Sequence, residues 1–245
     1  MHVRFHAPGL EPGDRSAVLS AEESGHAVRV LRVRRGAEVR LFNGRGYECE
    51  AVVENPAPAG LTLRVVGSVC ACPEPRVALT LAQAVLKGDG MDEVVRDAVM
   101  LGVRAIVPVV STRVEADRAR LLKARRHERW QRIAVSSAKQ CGRAVVPEVR
   151  EPVTFEEAVA GLGDPIRLML AEPAVDGPAA LDLPSLPGPV SAAILVGPEG
   201  GWTAAEVSLA ASSGWSRLTL GTRTLRADAA ATVAIPVLQY LWGDL

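Results

Sequence analysis

From residue 77 onward the chain alternates short apolar runs with amphipathic ones, and this alternation limits the folds open to it more than any other feature. VALTLAQAV, RAIVPVV, RLMLAEP, AAILVGPEGG and RLTLGT read as buried strands. GMDEVVRDAVMLG, a long basic stretch, TAAEVSLAASSG and a final segment to about Trp242 read as helices. Strands that alternate with helices predict a mostly parallel sheet with helices on both faces.

Residues 1 to about 70 differ. AEVRLF, Asn-Gly-Arg-Gly and YECEAVV predict a hairpin, and LTLRVVGSV a further strand, so a small β-rich domain comes first. Ser20, with Glu23 three residues later, predicts a capping box opening a short helix. CACPEPR, with two prolines in seven residues, reads as a linker and predicts domains of 1–72 and 73–245.

No apolar run reaches the length of a membrane span, and MHVRFHAPGL lacks the apolar centre of a signal peptide. Cys49, Cys70, Cys72 and Cys141 lack zinc-site spacing and read as reduced thiols, so no metal and a cytoplasmic protein are expected. A net charge of zero conceals an uneven distribution: residues 113–143 hold 10 Lys/Arg against 3 Asp/Glu, whereas 144–245 hold 5 against 12. Arg29, Arg32, Arg34, Arg35 and Arg45 form a first basic stretch, and Arg118, Arg125, Arg129, Arg132 and Arg143 mark a second. Either suits RNA or a solvated face.

Read as one helix, the second stretch gathers Ala119, Leu122, Trp130, Ile133, Ser137 and Cys141 into an apolar stripe flanked by arginines. His26 and Trp130 could stack on bases, though Trp130 fits a core position better.

Three of the later strands end in similar loops, at 168–173, 194–201 and 218–226. If the strands are parallel neighbours, the loops share one edge and form one pocket. Neither a triphosphate cradle nor a dinucleotide fingerprint is present. Leu195, Val196, Leu220 and Leu225 instead offer apolar walls, with backbone groups of Gly197, Gly200 and Gly221 for polar contacts. Thr203 is placed to cap the following helix.

LVGPEGGW and LTLGTRTLRADAA resemble the S-adenosylmethionine site of SPOUT methyltransferases. Together with GHAVRVLRVRRG (25–36), LKGDGMDEVVRDAVMLGVRAIVPV (86–109) and RWQRIAVSSAKQCGRAVVPEV (129–149), they make the chain most similar to the 16S rRNA (uracil-1498-N3) methyltransferase family. The resemblance implies a PUA-like β-barrel before a SPOUT domain with a deep trefoil knot, the segment 217–242 threading under the cofactor loops. It further implies S-adenosylmethionine as cofactor, ribosomal RNA or the small-subunit particle as substrate, and an obligate homodimer joined near the last helix.

The cofactor residues it implies are Leu170, Ala171, Glu172, Leu195, Val196, Gly197, Pro198, Glu199, Gly200, Gly201, Leu220, Gly221, Leu225 and Arg226. Where the family commonly reads Leu-Arg-Thr-Glu-Thr-Ala, this chain has Leu225, Arg226, Ala227, Asp228, Ala229 and Ala230. Methylating uracil N3 requires loss of an imide proton. Arg226 can stabilise the resulting anion but cannot be the base; Glu199 and Asp228 are the acidic candidates. For Glu199, a helix cap or a salt bridge is the structural alternative. Another rRNA or tRNA nucleotide as acceptor, or RNA binding without catalysis, also fits these residues.

Overall fold

A computed structural model describes residues 3–115, 117–173 and 188–242. The chain forms two units: residues up to Glu74 with Val135–Val146, and Pro75–Ala134 with the remainder from Pro147. Sequence reading foresaw no return of 135–146 to the first unit.

In the first unit, β1 (Arg4–His6), β2 (Ser16–Val18), β3 (Glu38–Phe42), β4 (Glu48–Asn55) and β5 (Thr62–Val69) form a sheet in the order β1-β3-β4-β5-β2. β3 and β4 are the expected hairpin, and β5 adds to it antiparallel. Asn43 holds the hairpin turn, its Oδ1 accepting from the Arg45 and Tyr47 amides at 2.8 and 3.1 Å. Period-two alternation buries Phe5, Val39, Leu41, Ala51, Val53 and Leu63 on one face.

Ser20 caps α1 (Ala21–Gly25), accepting from the Glu23 amide, and a π-helical turn follows over His26–Val30. The reciprocal half of the expected capping box is missing. The Glu23 carboxylate instead pairs with Lys139 at 2.8 and 2.9 Å, a charged donor outcompeting a backbone amide.

Arg4 anchors residues 135–146 to this sheet. Its guanidinium forks onto Glu48 at 3.0 and 3.1 Å and donates to the carbonyls of Ala138, Lys139 and Arg143. The last carbonyls of a helix run short of intrahelical partners, and a buried cation satisfies them; that of Ala138 also accepts from the Gly142 amide at 3.2 Å.

In the second unit, the strands are β6 (Ala78–Ala84), β7 (Ala105–Val110), β8 (Glu148–Val149), β9 (Val153–Thr154), β10 (Ile166–Leu170), β11 (Ser191–Val196) and β12 (Ser216–Leu218). All pair in parallel in the order β12-β10-β11-β6-β7-β8, with β9 also on β7. The helices are α2 (Gly90–Met100), α3 (Arg118–Lys123), α4 (Arg126–Cys141), of which residues from Val135 on count with the first unit, α5 (Phe155–Gly161), α6 (Ala204–Ser212) and α7 (Ala227–Leu241).

One core combines Ala82, Val107, Ala193 and Leu195 of the strands with Phe155 and Val159 of α5, Val207 of α6, and Trp202 and Trp215. α7 packs on α2 and against β11. α5 was not foreseen, although Thr154 and Glu157 form its capping box and the T-x-x-E spacing was there to read.

The long basic helix is in fact two. Arg125 takes a left-handed φ of 50° between α3 and α4, a conformation that ends a helical run. The break shifts the buried stripe to Leu121, Trp130, Ala134, Ser137 and Ala138; Leu122, Ile133 and Cys141 are only partly covered. Trp130 is core, its Nε1 donating to Asp92 at 3.0 Å.

Glu48 and Arg4 have side chains only 4 and 9% exposed. Replacing Glu48 by Gln leaves a buried guanidinium short of its counter-charge, and should lower the unfolding free energy by about 3 kcal/mol. Urea unfolding measures this; a loss under about 1 kcal/mol would mean that Arg4 is held adequately by the carbonyls alone.

Candidate active site

Parallel register sets where the loops emerge. Leu168 pairs with Ile194 across β10 and β11, and Leu170 with Leu218 across β10 and β12. The three strands therefore end level, and the loops after them border one cavity of about 800 Å³. That lies within the range of about 300–1,000 Å³ usual for small-molecule sites.

Leu170, Ala171, Glu172, Val196, Gly197, Pro198, Glu199, Gly200, Gly201, Leu220, Leu225 and Arg226 all border the cavity, as does Asp228. Two expected residues do not. Leu195 points into the core, because strand side chains alternate faces and Val196 takes the cavity side. Gly221, with φ of 74°, shapes its turn outside the lining.

The glycine loop is fixed by Trp202. The indole is buried, donates from Nε1 to the Leu170 carbonyl at 2.8 Å, and lies against Phe155 with ring centroids 5.2 Å apart. It thereby ties the loop after β11 to the end of β10. A Cβ at position 197 would lie 3.1 Å from the indole, so Gly197 answers to a protein side chain. Gly201 has φ of 67°, and a Cβ there would meet Glu172 Oε1 at 2.8 Å.

Thr203 caps α6 as expected, and Glu206 completes the capping box. Buried Glu206 also accepts from the Thr112 amide at 2.9 Å, tying in the loop after β7. Glu199 does not cap α6; its Oε1 accepts from the Lys87 amide at 2.9 Å.

Sequence reading did not place Lys87, Asp89, Glu93 or Arg113 at the site, yet all four line the cavity. Arg113 donates to the Gly200 carbonyl. Lys87, Asp89 and Glu93 follow β6, and β6 lies beside β11, so their loop must reach the same edge. The signal was the strand alternation itself, but the strand order was needed to use it.

Arg226 is the N-cap residue of α7, its side chain 84% exposed, and it forks onto Asp228 at 3.1 and 2.6 Å. Asp228 also accepts from the Ala229 amide. The Arg226 hydrogen bonds hold the Asp228 carboxyl below its ordinary value of 3.8, against a smaller opposing effect of burial. Such a carboxylate is a weaker proton acceptor than an ordinary one, and it orients the guanidinium.

The basic residues divide. Arg29, Arg32, Arg34, Arg35 and Arg132 are exposed and have no acidic partner among the described residues. Arg45 pairs with Glu11, Arg118 with Glu157, Arg125 with Glu128, and Arg129 with Asp92. Arg143 does not belong to a surface patch: it is buried and forks onto Glu74. Among the described residues no helix is long and apolar enough to cross a membrane.

Two family models match the chain: an RNA methyltransferase PUA domain over residues 19–66 and an RNA methyltransferase domain over 73–239. The ribosomal RNA small subunit methyltransferase E of Synechocystis is 33% identical over 232 residues, covering 92% of this chain and 73% of that protein. The chain belongs to the ribosomal RNA small subunit methyltransferase E family. A member from Mycobacterium bovis is 30% identical, covering 94% of this chain and 88% of that protein. The crystal structure of the family's protein from Neisseria gonorrhoeae, bound to S-adenosyl methionine, is 30% identical with a TM-score of 0.89. That match covers 99% of this chain and 98% of that one. The fold expected of the family, a PUA-like β domain before a SPOUT-type α/β domain, is present.

Because the folded-state pKa of Asp228 is lowered, its pair with Arg226 is complete above pH 3.8 and is lost as pH falls through the lower folded value. Carbon-detected NMR titration should place the Asp228 midpoint below that of a free aspartate, and Arg226→Gln should return it upward. A midpoint unmoved by Arg226→Gln would remove Arg226 as the cause.

Proposed function

We propose that this protein transfers a methyl group from S-adenosylmethionine to N3 of a uridine in small-subunit ribosomal RNA. The observation that carries this reading is the cavity at the carboxyl edge of β10, β11 and β12, closed by a glycine loop, in a chain of this family. The residues suit the cofactor: Val196, Leu218, Leu220 and Leu225 supply apolar wall, and Gly197, Gly200 and Gly201 border the cavity with backbone alone. S-adenosylmethionine supplies, when bound, a methyl group already activated on a sulfonium.

The chain must then bind, orient and exclude water. Arg226, exposed at the cavity mouth and fixed by Asp228, can donate hydrogen bonds to the charge that develops on the imide as its proton leaves. Asp228 acts through Arg226 as a positioning residue. Glu199 has one oxygen taken by the Lys87 amide, which supports a role in joining two loops; its other oxygen remains available to accept a proton.

RNA binds through the free arginines Arg29, Arg32, Arg34, Arg35 and Arg132, with Arg45, Arg118, Arg125 and Arg129 exchanging surface carboxylates for phosphates. Val233, Val237 and Tyr240 lie exposed at helical spacing on α7, and this apolar face supports pairing with a second copy. A ribosomal substrate and four free cysteines favour action in the cytoplasm.

The test is methylation of small-subunit particles lacking this modification, with the product mapped by mass spectrometry. The expected product is one N3-methyluridine. Another methylated nucleotide would replace the acceptor, and no methyl transfer would leave an RNA-binding protein. Arg226→Lys keeps the charge but loses the planar fork, so single-turnover methylation should slow by about 10²-fold with cofactor affinity retained. An unchanged rate in the folded variant removes Arg226 from the chemistry.

A further inference from the structure

β6 pairs in parallel with β11, the strand that leads into the glycine loop, and its penultimate residue is a glutamine in an otherwise mainly apolar strand. Gln83 is fully buried and pairs in register with Val196, the last residue of β11. Its Nε2 donates to the Ala84 carbonyl at 3.1 Å and to the Gly197 carbonyl at 3.4 Å. Two carbonyls at that end identify it as the nitrogen, since an oxygen there would face only acceptors. Gln83 Oε1 is buried with no donor among the described residues.

A half-satisfied buried amide is a poor choice for packing, because an apolar side chain of similar shape would fill the space without that cost. The amide does something an apolar residue cannot: it fixes a carbonyl belonging to the next strand's loop. Gly197 is the most freely rotating residue type at the point where β11 turns into the loop. Trp202 limits it sterically from the Cα side, and Gln83 sets the direction of its peptide plane. A peptide that borders the cavity is thereby aimed by a residue that does not border it.

We infer that Gln83 is a positioning residue that orients the Gly197 peptide and so holds residues 197–202 in their binding-competent shape. Its consequence for cofactor affinity rests on the function proposed above, but the loop's order does not.

Hydrogen exchange on the ligand-free protein separates the two. Gln83→Met keeps size and removes the donor, so the peptide spanning 197–202 should exchange at least about five-fold faster, with β7 and α2 unchanged. Steady-state methylation should show KM for S-adenosylmethionine raised about ten-fold, or about 1.4 kcal/mol, with kcat at saturation within about two-fold. Gln83→Glu serves as a second variant should the Met protein fail to fold. A buried glutamic acid is protonated at mildly acidic pH and can then donate to the carbonyl. Its exchange, relative to wild type, should be near normal at pH 5.5 and accelerated at pH 8.5.

Unchanged exchange at 197–202 in Gln83→Met, or pH-independent relative exchange in Gln83→Glu, overturns the inference. Wild-type protein without affinity for the cofactor would instead overturn the cofactor reading, while exchange still decides the role of Gln83.

Discussion

Parallel pairing of β10 with both β11 and β12 governs where chemistry can occur in this protein. A parallel sheet sends every strand's carboxyl end to the same edge, so loops distant in sequence become neighbours. Here the level ends of three strands, joined by β6 beside β11, bring residues 86–93, 170–173, 196–202 and 218–228 around one cavity. No single loop carries a complete binding motif. The site exists only as a product of strand order.

The loops then need fixing, and the protein does this with side chains that each hold a second loop. Trp202 reaches the Leu170 carbonyl, Glu206 the Thr112 amide, Glu199 the Lys87 amide, and Arg113 the Gly200 carbonyl. The Trp202 bond is buried and the Glu206 bond partly so, where unpaired donors and acceptors are costly; the Glu199 and Arg113 bonds lie at the exposed rim and add smaller constraints. The glycines fit this account. Gly197 makes room for an indole and Gly201 supplies a left-handed turn, so the loop's composition reflects its own packing as well as any ligand.

Much of this was legible beforehand because it depends on local pattern. The strand alternation after residue 77 implied the parallel sheet, the Asn-Gly turn implied the β3–β4 hairpin, and the similar loop endings implied a shared edge. The expectations of a knot and of a cofactor came only from family resemblance. What pattern could not supply was tertiary pairing. Arg143 looks like its neighbours in sequence, yet Glu74 draws it inside; Arg125 breaks a helix that periodicity alone would continue. Glu23 has the spacing of a capping box but takes Lys139 instead. Leu195 and Val196 were both taken as cavity wall, whereas adjacent strand residues face opposite sides and only Val196 borders the cavity.

If the edge cavity of the parallel sheet holds the cofactor, a crystal structure of the protein grown with S-adenosylhomocysteine should show the ligand between residues 170–173, 196–202 and 218–228, with the Trp202 bond to Leu170 intact. Ligand bound at any other place, with this cavity lacking it at saturating concentration, would mean that the cofactor site lies elsewhere.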